Sequence, residues 1–470
     1  MSREKDLAVN TVILTVGKIC TQFVSYLLLP LYTALLLPEE YGIVDLFSTY
    51  ISLLVPLFNW QFENGFFRFM LDCRENKEKQ TALFTTVFVS HFWQALLFCV
   101  CYFAVQSFIP SEYKLFLLIN VLLNIFMNTL MQLPRGLGNN TVYAVASFIS
   151  AISTVLANIL FIAVFRWGAY GMFVANIVGK CITIVYLILS QKVWSFFKIS
   201  KYDKSLFKEV SRYSLPLIPN QLSWWVVGVS DRTIISYVVG VAANGIYSMA
   251  NKFSTLFIVF YNIFNMSWTE SVSLHMNDED RDDYLTKTIN TMFRLFAAIG
   301  IGIIACMPFV FPIMINEKYN DAYYQIPILM VAVLFQVVVG LYSVIYVALK
   351  KSTEIAKTSF WAAIINIVVN LLFVNYFGLY AASFSTLAAY ATMAIYRYYD
   401  IKKYVNVVLD RKTLVITVIV GAITICSYYY NQLFTNVLTL IMVVVFAMLT
   451  NKEFLLSSWE MVVGKLKKKR

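Results

Sequence analysis

Long apolar runs recur along the whole chain, broken by short polar stretches, and the pattern predicts spans at about 8–36, 41–66, 81–107, 115–134, 142–165, 170–190, 212–238, 245–270, 288–314, 322–349, 355–377, 379–396, 413–430 and 433–450. Each membrane-crossing helix needs roughly 20 apolar residues. Outer-membrane strands are only about 10 residues long and alternate in polarity. The runs fit helices, so the expected fold is an all-α polytopic membrane protein with about 14 transmembrane helices.

The polar breaks carry an orientation signal. With the N-terminus in the cytoplasm, inside segments hold 29 of the 37 Lys and Arg, and outside loops hold only Lys114, Arg166 and Lys318. Arginine and lysine are retained on the cytoplasmic side, so both termini are expected to be cytoplasmic. The net charge of +11 therefore reflects topology and does not point to nucleic acid. Hydrophobic residues make up 60% and charged residues 13% of the chain, which excludes a water-soluble globular protein and a disordered one. The seven cysteines, Cys20 among them, form no disulfide or zinc pattern.

The chain also resembles itself at an offset of about 210. The fifth and eleventh predicted spans match at Ser147/Ser359, Phe148/Phe360, Ala151/Ala363 and Asn158/Asn370, and the second and eighth at Gly42-Ile43/Gly245-Ile246. Six spans separate the copies, so both run in one direction, as parallel repeats do. The expected organisation is an N-lobe of six helices (1–190), a basic cytoplasmic linker (191–211) and a C-lobe of six helices (212–396). A cytoplasmic loop (397–412), two further helices (413–450) and a basic cytoplasmic tail (451–470) follow. The linker mixes Trp194, Phe196, Phe197 and Phe207 with lysines, which suits either the inner headgroup region or an ordinary inside loop.

Five cations fall within spans, away from their cytoplasmic ends: Lys18, Lys180, Arg232, Lys252 and Arg294. A charge near the bilayer centre costs at least ~2.5–3.5 kcal/mol, so each needs a reason. Lys180 lies mid-span, about 15 Å from either end of its helix, beyond easy reach of the interface. Two readings stand side by side. The five cations line a cavity for an anionic substrate, or they form ion pairs with the acids Asp45, Glu63, Asp231 and Glu270, which are also candidates for ion coupling. No catalytic constellation, metal-ligand spacing or nucleotide-binding loop is present, so no cofactor and no enzymatic activity are expected.

Two stretches resemble a known family. NTVILTVGKICTQFVSYLLLPLYTALLLPEEYGIVDLFSTYISLLVPLFNWQFENGFFRFMLD (10–72) and SLPLIPNQLSWWVVGVSDRTIISYVVGVAANGIYSMANKF (214–253) are similar to O-antigen, capsule and exopolysaccharide repeat-unit flippases. These belong to the multidrug, oligosaccharidyl-lipid and polysaccharide exporter (MOP) superfamily. The resemblance implies two six-helix lobes around a cavity in a bacterial plasma membrane. It also implies alternating-access transport of undecaprenyl-pyrophosphate-linked oligosaccharide from inner to outer leaflet. Its implied partners are the polyprenyl-pyrophosphate-linked glycan, membrane lipids and other polysaccharide-assembly proteins. The alternatives are a cation-coupled multidrug exporter, a lipid II-type flippase or, with less support from the short outer loops, a membrane glycan polymerase or ligase.

Overall fold

A computed structural model describes residues 26–108 and 111–452 of the chain. Every regular element among them is helical: α1 (Leu29–Leu35), α2 (Pro38–Phe58), α3 (Phe62–Asp72), α4 (Lys77–Val105), α5 (Lys114–Gly136), α6 (Asn140–Asn158), α7 (Gly168–Gln191), α8 (Lys204–Ser214), α9 (Leu217–Val238), α10 (Val241–His275), α11 (Arg281–Met314), α12 (Asp321–Ala348), α13 (Ser352–Phe377), α14 (Leu379–Ile401), α15 (Arg411–Tyr430) and α16 (Leu433–Thr450). Thirteen of these exceed 17 residues and coincide with predicted spans two to fourteen. Ten of them are long and apolar enough to cross a membrane. The other three are α9, α10 and α14, which carry Asp231 and Arg232, Lys252, and Arg397. The all-α polytopic class stands. Most of the first predicted span, 8–36, lies outside the described residues, as does most of the tail, 451–470.

Two boundaries differ from the sequence reading for local reasons. The second span does not continue to 66. Its helix ends at Phe58, and Trp60 and Gln61 take left-handed backbone angles, φ 56° and 57°. The Asn59 side chain accepts from the Gln61 amide at 2.9 Å and holds this break. The seventh span starts at Leu217, not 212, because residues 204–214 form the separate helix α8.

The chain divides into two compact units. The first runs to Ser236 and takes in Gly240–Gly245, and the second holds Tyr237–Val239 and everything from Ile246 on. Helix α9 therefore packs with the first unit up to Ser236, although the repeat in the sequence groups it with the second copy. The reason is side-chain bonding. Trp225 Nε1 donates to the Thr49 carbonyl at 3.0 Å, and Arg232 pairs with Asp45.

Within each unit the same neighbour pattern recurs. In the first, α7 packs on α6 and on α5, and in the second, α14 packs on α13 and on α12. A strap also repeats. After α7, the chain returns along α4: the Lys198 and Asp203 amides donate to Thr85 and Thr86 hydroxyls at 3.0 and 3.1 Å. After α14, it returns along α11: the Asn406 and Val408 amides donate to Asp282 and Thr286 at 3.0 and 3.3 Å, and Asp410 N donates to Asn290 at 3.0 Å. The parallel repeat thus extends to connections where the sequences share no motif.

The two added helices are tied to the second unit. Val420, Val443 and Phe446 share a buried cluster with Ala298, Ile301 and Ala305 of α11. Tyr428 stacks on Tyr323 of α12 with ring centres 4.1 Å apart, and its hydroxyl donates to the Tyr323 carbonyl at 2.6 Å.

Candidate functional site

The first unit contains a polar cavity of about 460 Å³, within the roughly 300–1,000 Å³ typical of ligand pockets. Its wall is dominated by side-chain amides: Gln61, Asn64, Asn120, Asn124, Asn128 and Asn176 among them. Among the described residues, Lys180 and Glu63 are its only charged lining residues. Polar groups inside a membrane are costly and retained for function or packing, so this density of amides marks a site.

Each element places its side chains for a local reason. Asn120, Asn124 and Asn128 recur every four residues on α5, so they share one face of that helix. The amides of Asn120, Asn124 and Asn176 each donate to the carbonyl four residues earlier, at 2.9, 2.7 and 3.0 Å. That bond fixes the side chain along its own helix. The break at Asn59–Gln61 swings α3 so that Gln61, Glu63 and Asn64 reach the wall. Asn59 Nδ2 donates to Glu63 Oε2 at 2.7 Å, and Asn64 donates to Gln61.

Lys180 comes from α7 and donates from Nζ to Asn120 Oδ1 at 2.7 Å. The acceptor is a neutral amide, and Lys180 makes no salt bridge among the described residues. Its charge is therefore solvated by a dipole rather than cancelled by a carboxylate. Asp45 and Arg232 sit elsewhere in the same unit. Arg232 Nη1 lies 3.1 and 3.3 Å from the two Asp45 oxygens, and both groups are largely buried. Asn244 Nδ2 reaches Asp45 Oδ2 at 3.5 Å and the Gly42 carbonyl at 3.0 Å. Asp231 is buried and accepts from the Arg232 backbone amide at 2.9 Å.

The remaining predicted residues lie apart from these. Lys252, Glu270 and Arg294 belong to the second unit. Lys252 is half-buried and Glu270 exposed. Arg294 donates to Thr291 at 3.2 Å and faces Asp410. The Asp410 carboxyl is held below the usual range, first by the Thr413 hydroxyl and amide and then by the Arg294 charge. Lys18 lies outside the described residues. The structure thus brings Lys180 and Glu63 to one cavity and Arg232 and Asp45 to one ion pair.

Two sets of residues went unread in the sequence. The cavity amides are one, and the four-residue spacing of Asn120, Asn124 and Asn128 inside an apolar run was the available signal. Arg397 is the other. It is fully buried, and its guanidinium donates to Thr358 Oγ1 at 3.0 and 2.7 Å, to Ser343 and to the Val339 carbonyl at 3.3 Å. It looked like a loop cation, yet it joins α12, α13 and α14. Among the described residues, no group of three or more His, Cys, Asp or Glu is placed to hold a metal.

Solved structures share this arrangement of spanning helices. An inward-facing MATE multidrug-resistance transporter of the MOP superfamily is similar with a TM-score of 0.66 and 13% identity, over 81% of this chain and 95% of that one. The lipid II flippase MurJ in an inward closed conformation is similar with a TM-score of 0.68 and 14% identity, over 95% of this chain and all of the other. No curated protein sequence matches significantly. The profile of the family described as "Polysaccharide biosynthesis protein" matches residues 7–269, more than half of the chain. The protein belongs to that family.

Proposed function

We propose that the protein is a flippase that moves polyprenyl-pyrophosphate-linked oligosaccharide repeat units from the inner to the outer leaflet of a bacterial plasma membrane by alternating access. The observation that carries this reading is the amide-lined cavity that Lys180 and Glu63 share. Sugar hydroxyls donate and accept, and Asn and Gln amides do both. Lys180 supplies the charge-assisted contact that a phosphate oxygen or an acidic sugar takes. Multidrug cargo is cationic or apolar, and a wall dominated by amides, with Lys180 and Glu63 as its charged members among the described residues, suits a sugar chain better. With the cell interior negative, outward movement of the anionic head is downhill by about 2.3 kcal/mol per charge per 100 mV. The positive-inside count supports cytoplasmic termini, and polysaccharide-assembly proteins are the expected neighbours.

Lipid II is the second cargo to weigh, because the likeness to MurJ extends over nearly the whole chain. Reconstitution separates the readings. Purified protein in liposomes should speed the transfer of a lipid-linked oligosaccharide between leaflets, read by its access to a membrane-impermeant lectin or hydrolase. Lipid II should move more slowly. Preferred transport of lipid II would reassign the cargo, and transport of a small cationic dye without either lipid would overturn the flippase reading.

A further inference from the structure

We infer that the segment from Lys192 to Tyr213 is a built docking surface for the anionic phospholipid headgroups of the inner leaflet. Three observations converge on it: a fixed position, a matching depth and a one-sided charge.

The position is fixed by α4. Thr85 Oγ1 donates to the Phe196 carbonyl at 3.2 Å and accepts from the Lys198 amide at 3.0 Å, and Thr86 accepts from the Asp203 amide. Val193 and Phe196 are buried with Phe84, Val87 and Leu187, and Lys77 lies 3.1 Å over the Phe196 ring. This is a packed strap, not a loose connection.

The depth follows from helix length. Helix α4 has 29 residues, about 43 Å at 1.5 Å per residue, against a hydrocarbon core of about 30 Å. Some eight residues must project beyond the core. The exposed apolar residues Phe92, Trp93, Leu96, Leu97, Val100 and Phe103 all lie in the outer half of the helix. The projecting end is therefore the Lys77 end, and Thr85 falls near the boundary of hydrocarbon and headgroups. The strap bonded to Thr85 lies at the same level. There Trp194 and Tyr202 are exposed, as amphipathic rings are at membrane interfaces, and Ile199 is exposed beside them.

The charge is one-sided. Helix α8 buries Val210 and packs Leu206 and Phe207 against the core cluster containing Phe62. Its outer face shows Lys204, Lys208 and Arg212, four residues apart and all exposed. The whole segment has six cations and two acids. One acid, Asp203, is used as the N-cap of α8, accepting from the Ser205 and Leu206 amides at 2.7 and 3.3 Å. Clusters of four to eight cations on the cytoplasmic side of a membrane bind anionic lipid. The surface rests on the cytoplasmic orientation and is independent of the cargo.

The test titrates short-chain phosphatidylglycerol, phosphatidylcholine or inorganic phosphate into the full-length protein in neutral detergent and follows its melting temperature. Phosphatidylglycerol should stabilise the wild type, with phosphatidylcholine and phosphate having little effect. The variant Lys204→Gln/Lys208→Gln/Arg212→Gln should melt normally without lipid but need roughly 100-fold more phosphatidylglycerol for the same shift. If that variant does not fold, the single Lys204→Gln and Lys208→Gln changes should each weaken the response about five-fold. An unchanged response in the variants, or equal stabilisation by phosphatidylcholine, would overturn the surface. Full stabilisation by phosphate at equal concentration would make it a phosphate site instead of a lipid one.

Discussion

The partner of Lys180 is the neutral amide of Asn120, which leaves the charge uncancelled. A carboxylate at the same place would cancel it. Replacing Lys180 with Gln removes the charge and keeps a polar side chain of similar reach. Export of the proposed lipid-linked glycan should fall about ten-fold or more, by the worth of a hydrogen bond to a charged group, with protein abundance unchanged. Lys180→Arg should keep part of the activity. Immunoblotting of membranes beside the liposome assay reads both quantities, and undiminished export from the Gln variant would remove the lysine from the site. Arg232 poses the opposite case, because it faces Asp45. Breaking a buried ion pair from one side costs roughly 3–5 kcal/mol, while removing both charges is often close to neutral. Arg232→Gln should therefore lower the melting temperature sharply. The double change with Asp45→Asn should recover most of it, and failure to recover would mean that the pair is not what holds Arg232. The depth of both cations was legible in the sequence. Their partners were not, since Asp45 lies 187 positions from Arg232 and Asn120 carries no charge to draw notice.

Helices α2 and α10 meet at two glycines that the repeat had already paired. A Cβ on Gly42 would strike the Val241 carbonyl oxygen and come within 2.9 Å of the Gly245 nitrogen. A Cβ on Gly245 would strike the Pro38 carbonyl and come within 3.0 Å of the Gly42 nitrogen. These neighbours are backbone, so they cannot rotate away, and close backbone approach is what small residues allow between membrane helices. Gly42→Ala should cost about 1–3 kcal/mol, seen as a lower melting temperature in detergent. Normal stability would show that the helices separate at no cost. The added helices α15 and α16 give a milder test. Tyr428→Phe removes the hydroxyl that donates to the Tyr323 carbonyl but keeps the ring stack. It should lower stability by about 1 kcal/mol, whereas truncation after Lys412 should cost far more by uncovering Ala298, Ile301 and Ala305. The sequence reading set these helices outside the repeat. Their packing against α11 and α12 depended on shape, which periodicity does not report.

For the molecule as a whole, orientation is the property most open to direct measurement. Single cysteines introduced at Lys204 and Lys318, in a background without the native cysteines, should differ in access to an impermeant maleimide. The site at Lys318 should label in intact cells, and the site at Lys204 only after the membrane is opened. The reverse pattern would invert the topology and remove the inner-leaflet surface with it.

Residues alone determined that this is a helical membrane protein, roughly where its helices run and that it repeats. Hydrocarbon forces each of these, because a spanning segment must be apolar for about 20 residues and must satisfy its backbone internally. Charge counts in the loops favoured one orientation for a similar reason of cost. Tertiary structure decided which polar side chains meet. Each residue turns a helix by about 100°, so the face that Asn120 or Lys180 presents to its neighbours depends on how helices distant in sequence pack. The closing of the amide-lined cavity and the joining of α9 to the first unit arise from such contacts, which no local pattern encodes.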